Sequence, residues 1–473
     1  MKKLLNLLTF CGILGGQVTA QNATEAMYYS QNFFQADARS LAMGGASGVL
    51  ASPLAGSINP AGIGFYEYSE FSFSGSMTYI DTRSLYIGES HKDLAYNFNL
   101  PNLGLMLHLD RGEGTYVLGI TVNRTANFNR RRFFQGINTE NSITEFLAED
   151  ANGTLPEDLS VSSYGGNAYE SYLIDPFVLD PEMYIPVIDY EYETRVLQSE
   201  MKESRGSAND VNISLAYRKE KVSVGGTIGW ATIRYYETVE FFEENQANSV
   251  VYYRSMSLME NISTIGDGIF ASLGVVVDGN LLRGGISLKS PTVYDMLDSY
   301  ERDMRGQFRG YTDEGFYFRS KFVYKLITPP RLNLSLALIR PVGVISLDCE
   351  LLDYRMASLS SPEFRFSEEN QKIDNEGMQA LNLRVGFSSK IMERFFLRGG
   401  YNRQGKVTRG SRANSSFSGG IGIALKSCWI DLAYVYRKEE SSYIPYILSY
   451  EETPESREET TRHIITLTCS FPF

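Results

Sequence analysis

From Ile465 to Phe471, near the end of the sequence, apolar and hydroxyl side chains alternate at every step. Ile465, Leu467, Cys469, Phe471 and Phe473 share one face of an extended strand, and Thr466, Thr468 and Ser470 share the other, because strand side chains alternate. An apolar stripe backed by hydroxyls and stopping at a terminal Phe fits a strand with lipid on one side and a polar lumen on the other. That is the pattern expected of the closing strand of a bacterial outer-membrane β-barrel. The same alternation recurs upstream. Phe71, Phe73, Met77 and Tyr79 oppose Ser72, Ser74, Ser76 and Thr78; Leu381, Leu383, Val385 and Phe387 oppose Asn382, Arg384, Gly386 and Ser388. Residues 416–425 and 429–437 repeat it, and a period of 3.6 fits none of these stretches. A mean hydropathy of -0.21 with 31 Tyr, 27 Phe and 42 Gly suits strands that are apolar on one face only.

The amino terminus agrees with export. Met1-Lys2-Lys3 precedes an apolar run from Leu4 to Leu14, and Val18-Thr19-Ala20 precedes Gln21. This reads as a signal peptide over 1–20, since the run is too short to span a membrane. Cys349, Cys428 and Cys469 remain after cleavage, an odd number at wide spacing that excludes zinc patterns and a full disulfide framework. Cys428 and Cys469 fall near the same end of neighbouring strands, but strand geometry rarely satisfies a disulfide. His91, His108 and His463 are scattered. No nucleophile, metal pattern or oxyanion motif is present, so neither an enzyme, a metal nor a cofactor is expected.

Short polar or glycine-bearing turns punctuate the chain, as tight hairpins require: 110–114, 219–221, 278–280, 340–343, 390–393 and 426–427. Longer connections alternate with them: 81–93, 129–207, 241–266, 306–314, 358–376, 406–412 and 441–461. Six turns and seven loops make thirteen connections and fourteen strands. The expected architecture is all-β, a 14-stranded antiparallel transmembrane barrel over 67–473 with both termini on the short-turn, periplasmic side. Residues 21–66 lack the strand pattern and are expected to form a plug, or hatch, inside the lumen. Their small residues permit close packing and tight bends.

Ala38-Arg39-Ser40-Leu41-Ala42-Met43-Gly44-Gly45-Ala46, followed by Asn59-Pro60-Ala61-Gly62, resembles the hatch of the FadL family of outer-membrane transporters of hydrophobic compounds. The strand count and terminal Phe agree over the whole mature chain, although barrels of other kinds share them. The resemblance implies passive uptake, without a chemical step. An apolar ligand such as a long-chain fatty acid is caught by the outer loops, held above the hatch, and released sideways through a gap made by a kinked third strand. That strand is expected at about 115–128, with Gly119 either permitting the bend or simply facing lipid. The resemblance also implies a monomer. The partners expected are the hydrophobic ligand, outer-membrane lipid and lipopolysaccharide, with no nucleic acid.

Phe33, Phe34, Leu41, Met43, Leu54 and Ile58 are candidates for the ligand pocket, although a hatch also needs its own core. Asn59 and Pro60 suit the turn itself, since Asn caps turns and Pro presets φ. Arg130-Arg131-Arg132, beside Phe133 and Phe134, is a candidate contact for lipopolysaccharide phosphates or ligand carboxylates, or else a basic cluster at the membrane edge. Lumen-facing charges at Asp348, Glu350, Arg384, Arg398, Asp431 and Arg437 can pair across the wall or pin the hatch. Between Glu140 and Glu203 there are fifteen acidic residues against Arg195 and Lys202 alone, which holds nearly all of the net charge. This connection reads as a binding lid, as an acidic surface sharing divalent cations with lipopolysaccharide, or as a solvated loop. An alternative function follows: a barrel of the same fold that docks secreted or surface proteins through this loop. Transport requires a cavity against the hatch; docking is expected with a filled lumen and a protruding, ordered loop.

Overall fold

The computed structural model describes residues 23–188, 195–247, 252–310 and 314–473. The expected signal peptide and part of the acidic connection lie outside these residues. The chain forms β1 (Glu70–Tyr86), β2 (Glu89–Arg111), β3 (Gly114–Asn127), β4 (Arg130–Asn138), β5 (Ile174–Phe177), β6 (Asp180–Pro186), β7 (Val196–Lys219), β8 (Val222–Asn245), β9 (Tyr253–Asp278) and β10 (Leu282–Lys289). It continues through β11 (Val293–Phe308), β12 (Glu314–Ile327), β13 (Arg331–Arg340), β14 (Gly343–Asp353), β15 (Ser358–Ser360), β16 (Gln379–Met392), β17 (Phe395–Gln404), β18 (Asn414–Ala424), β19 (Trp429–Tyr443) and β20 (Ser456–Pro472). Short helices are α1 (Ala23–Tyr29), α2 (Ala38–Ala42), α3 (Ala55–Ile58), α4 (Ile143–Ala151), α5 (Tyr164–Glu170) and α6 (Ser367–Glu376).

All strands except the β5–β6 hairpin join one sheet of eighteen segments. Three barrel strands are interrupted: β3 continues as β4, β10 as β11, and β12 as β13. Pro291 breaks the second, and Pro329 and Pro330 break the third, where a missing amide hydrogen cannot join a ladder. With the three-residue β15 set aside, the wall is a closed antiparallel barrel of 14 strands. β20 closes it on β1, with Phe71 opposite Phe471 and Phe73 opposite Cys469.

The stripe that ends the chain faces outward. Ile465, Leu467 and Phe471 are exposed, whereas Thr466, Thr468 and Ser470 are buried against the interior. Phe98, Leu100, Ile213, Ile228, Trp230, Ile269 and Leu273 extend the same outer surface around the wall. A continuous apolar belt of this size is stable only in lipid, so the molecule is a transmembrane barrel.

All six short turns lie where the sequence puts them. Five of the seven long connections are shorter than expected, because strands rise past the lipid belt, whereas those expected at 358–376 and 406–412 are slightly longer, at 354–378 and 405–413. The largest difference is at 81–93. Here β1 and β2 run on as a ladder from Asp81↔Leu94 to Tyr86↔Glu89. They close at Ile87 and Gly88, with φ of 46° and 81°, the left-handed pair that a two-residue hairpin requires. Cys349, Cys428 and Cys469 are free.

The 129–207 connection is largely ordered. It contains β4, the first part of β7, and a small cap built from α4, α5, β5 and β6. Ser142 and Glu145 close a capping box at the start of α4, satisfying amides that a helix N-terminus leaves open. Leu147, Leu173, Ile174 and Ile188 form the cap's core, which continues onto Phe241, Met256 and Met304 of the barrel rim and onto Tyr446 and Leu448 of the last loop.

Candidate functional site

Residues 23–66 occupy the lumen as the hatch. α2 begins at Asp37, whose side chain accepts from the Ser40 amide at 2.9 Å. The chain then turns at Gly44 and Gly45, with φ of 67° and 82°. Gly44 presses on the wall: an added Cβ would lie 2.8 Å from the Tyr401 carbonyl oxygen and 2.9 Å from its nitrogen. Lower down, Asn59 accepts from the Ala61 amide at 3.1 Å and Pro60 opens the 3-10 turn Pro60–Phe65. The Asn59 amide also reaches the Val275 and Ile286 carbonyls, each at 3.4 Å. Ala61 is buried in the small core with Val49, and Gly62 meets the Gly48 carbonyl.

The polar face of the barrel holds this plug. Thr468 Oγ1 accepts from the Ala38 amide at 2.7 Å, and Asp348 Oδ2 accepts from the Ser47 and Gly48 amides at 2.8 and 3.0 Å. Ser287, Ser223 and Thr227 donate to the Ile58, Ala61 and Gly56 carbonyls. The lumen charges are paired. Arg398 meets Asp431 at 2.5 Å, Glu350 meets Arg331 and Arg384 at 2.9 and 3.0 Å, and Arg437 meets Glu439 at 2.6 Å. Arg39 of the hatch lies 3.6 Å from Asp431 and 3.9 Å from Glu70.

Above the hatch lies a cavity of about 1140 Å³. Phe33, Phe34 and Leu41 line it, together with Met27, Tyr28 and Phe128. Arginines stand over two of these rings: Arg437 is 3.7 Å from the centre of Phe33, and Arg384 is 5.6 Å from that of Phe34. Gly44 and Gly45 also reach the cavity. Met43, Leu54 and Ile58 do not. Leu54 and Ile58 pack into a small core with Ala36, and Met43 is buried against Gly386 and Gly400. Ala38 and Ser40 are buried as well.

The cavity reaches the wall at Ala126, Asn127 and Phe128, where the barrel's own pairing fails. The β2–β3 ladder stops at Asn102↔Asn123, while β3 and β4 both continue along β7. The hatch takes β2's place on the free edge: the Phe33 amide donates to the Thr125 carbonyl at 2.6 Å and the Gln35 amide to that of Arg124 at 2.9 Å. Beyond this point side chains bridge β2 to β3 and β4. Asn127 donates to Asn97 at 3.1 Å, Arg131 meets Asp93 at 3.4 Å, and His91 stands edge-on to Phe133. The break therefore begins after Asn123, and no ladder rejoins β2 to β4 beyond it. Gly119 does not cause it and does not face lipid; it is regularly paired, buried, and packed toward Ile63 of the hatch.

Arg130, Arg131 and Arg132 do not form one patch, because strand alternation separates them. Arg130 lies 2.6 Å from Glu458. Arg132 is buried between Glu458 and Glu200 at 2.5 and 2.7 Å and covers the Tyr443 ring. Arg131 points outward. Arg384 and Arg437 were expected in the lumen, but their place over the Phe34 and Phe33 rings and the bridge of side chains to β2 were not read from the sequence, since each depends on which distant strand faces the hatch. Among the described residues no group of His, Cys, Asp and Glu is placed to hold a metal ion.

No protein-family model and no curated protein sequence matches the chain. Solved structures do match. The P. putida toluene transporter TodX is 14% identical, with 92% of this chain and 98% of that chain covered at a TM-score of 0.51. A Pseudomonas aeruginosa FadL homologue is 11% identical, with 93% and 100% covered at 0.56. The monoaromatic hydrocarbon channel CymD is 12% identical, with 92% and 97% covered at 0.50. Identities this low establish the fold alone. The chain thus has the fold of the FadL and TodX type, an outer-membrane β-barrel of fourteen strands with its hatch inside the lumen.

Proposed function

We propose that the chain is a channel of the FadL type for passive uptake of hydrophobic small molecules, long-chain fatty acids or monoaromatic hydrocarbons among them. The termini are taken to be periplasmic, and the cap and long loops to face the cell exterior toward lipopolysaccharide. The barrel acts as a monomer. The observation that carries the reading is the continuity of one cavity from Phe33, Phe34 and Leu41 to Ala126–Phe128, where the wall stays paired to β7 but has lost its ladder to β2. An apolar molecule gains by leaving water for the patch formed by Tyr28, Phe33, Phe34 and Phe128, in a cavity whose remaining wall carries arginines, glutamates and serines suited to a polar head group. It gains again by passing sideways into lipid, without crossing the hydroxyl-lined lumen below. The Asn97–Asn127 contact lies across that exit and must part for passage.

Uptake assays with a cysteine pair at Asn97→Cys and Asn127→Cys test this. Oxidation is expected to stop uptake and reduction to restore it. Full uptake by a demonstrably crosslinked barrel would reject the lateral route. The alternative, a docking protein of this fold, is less well supported as a sole function, because the lumen contains a substantial cavity.

A further inference from the structure

The β5–β6 hairpin of the cap ends in an apolar tip that the uptake reading does not use. Val178 and Leu179 are 94% and 84% exposed, which is the reverse of what their side chains favour in water. Phe177, Met183 and Ile185 extend the apolar surface along the hairpin. The cap's own segment carries only acidic charge, and the barrel-rim cation that reaches it, Arg302, is tucked against Ser162, Tyr164 and Asn167 of the α5 region. Residues 139–188 contain ten Asp and Glu and no Lys, Arg or His, and Asp175, Asp180 and Glu182 flank the tip in exposed positions. A merely solvated charged loop needs neither a folded core nor a capping box, yet the cap has both. The hairpin is held on that core by Leu173, Ile174 and Tyr184, so the tip is presented on an ordered support.

We infer that this tip is a docking site for a separate protein carrying an apolar pocket rimmed by Lys and Arg. Contiguous exposed apolar surface with a polar rim marks interaction sites. An apolar anchor supplies affinity while the surrounding charge selects and steers the partner. Charge also decides between occupants. Anionic lipid headgroups are repelled by the acidic flanks, and a second copy presents the same sign. A basic partner is drawn to both features. This goes beyond the uptake reading, whose crosslinking test does not involve the hairpin, so the two fail separately.

The test places a photo-crosslinking amino acid at Val178 or Leu179 in full-length barrel in intact cells. Adducts are identified by mass spectrometry, and the protein found is purified and titrated against the barrel in nanodiscs. The expected result is an adduct to a protein with a basic surface. Its affinity should fall at least tenfold with Val178→Asp plus Leu179→Asp, and fall again between about 50 and 300 mM salt. Both positions are exposed, so the substitutions spare the cap's core. Adducts to lipid or lipopolysaccharide alone, adducts to a second copy, no adduct, or binding insensitive to both the substitutions and salt would each overturn the proposal.

Discussion

Gly44→Ala tests the hatch-to-wall contact most directly. A left-handed φ costs an L-residue about 1–2 kcal/mol. The new Cβ would also sit 2.8 Å from the Tyr401 carbonyl oxygen, and wall backbone in a closed ladder has little freedom to retreat. Overlap of this kind adds about 1–3 kcal/mol, for roughly 2–5 kcal/mol in all. Gly45→Ala separates the two costs. Its φ is also left-handed, but the nearest atom to its Cβ is the flexible Arg384 Cδ at 3.4 Å. The assay is amide hydrogen exchange over residues 43–48 in detergent micelles. Both variants are expected to speed exchange by loosening the hatch, with Gly44→Ala faster than Gly45→Ala by about 5- to 150-fold, the ratio that 1–3 kcal/mol sets. Equal exchange in the two variants would show that the close approach at Tyr401 contributes nothing, and would refute the reasoning.

Other perturbations separate struts from bystanders. Asp431→Ala leaves Arg398 and Arg39 without their shared carboxylate and should lower barrel stability by about 3–5 kcal/mol, seen as an earlier urea midpoint in micelles. Arg132→Ala takes the cation from buried Glu200 while Glu458 keeps Arg130, and should cost about 3–5 kcal/mol, whereas outward-facing Arg131→Ala should scarcely shift the same transition. Burial, with Glu451, Glu243 and Glu149 nearby, pushes the Glu145 carboxyl up to about 8. A folded value above the unfolded one stabilises the cap fully below the unfolded value, and that stabilisation is lost as pH rises through about 8. The protection of α4 amides relative to their intrinsic, base-catalysed exchange should therefore fall from pH 5 to pH 9, and Glu145→Gln should flatten that protection profile. Phe34→Ala, which removes a ring from the cavity wall, should weaken binding of a hydrophobic probe in fluorescence titration, with a small loss of stability because the ring also rests on the Ala36, Leu54 and Ile58 core.

Strand alternation exposes its sequence signal only where lipid lies on one side. The stretches around Met77, Phe417 and Leu467 were legible for that reason, and so were the tight turns between them. Above the belt both faces of a strand meet polar surroundings. The ladder from Asp81 to Asp93 therefore reads as a loop although it is regular sheet. The cap escaped notice because its helices are short and its core is completed by Phe241, Met256 and Tyr446, far away in sequence. The hatch was readable in its small residues and in Asn59-Pro60, but the division of its apolar side chains was not. Phe33, Phe34 and Leu41 face the cavity while Leu54 and Ile58 face inward, because the opposing wall decides which side remains open. The wall break followed the same rule. It depends on β2 leaving an edge that the hatch then occupies, and no single glycine encodes that.

The bond from the Ala38 amide to Thr468 joins positions 430 residues apart. Ser74 shares the same hydroxyl, at 2.7 Å, so three segments meet there: the plug, the first strand and the last. Contacts this remote carry a large closure entropy and form late. The plug's upper anchor cannot be completed until the final strand has arrived. Seating of this end of the plug is therefore coupled to sealing of the barrel: a chain stalled one strand short would keep the anchors at Asp348, Ser223, Thr227 and Ser287 but leave the start of α2 loose. The last dozen residues time the final fastening of the plug.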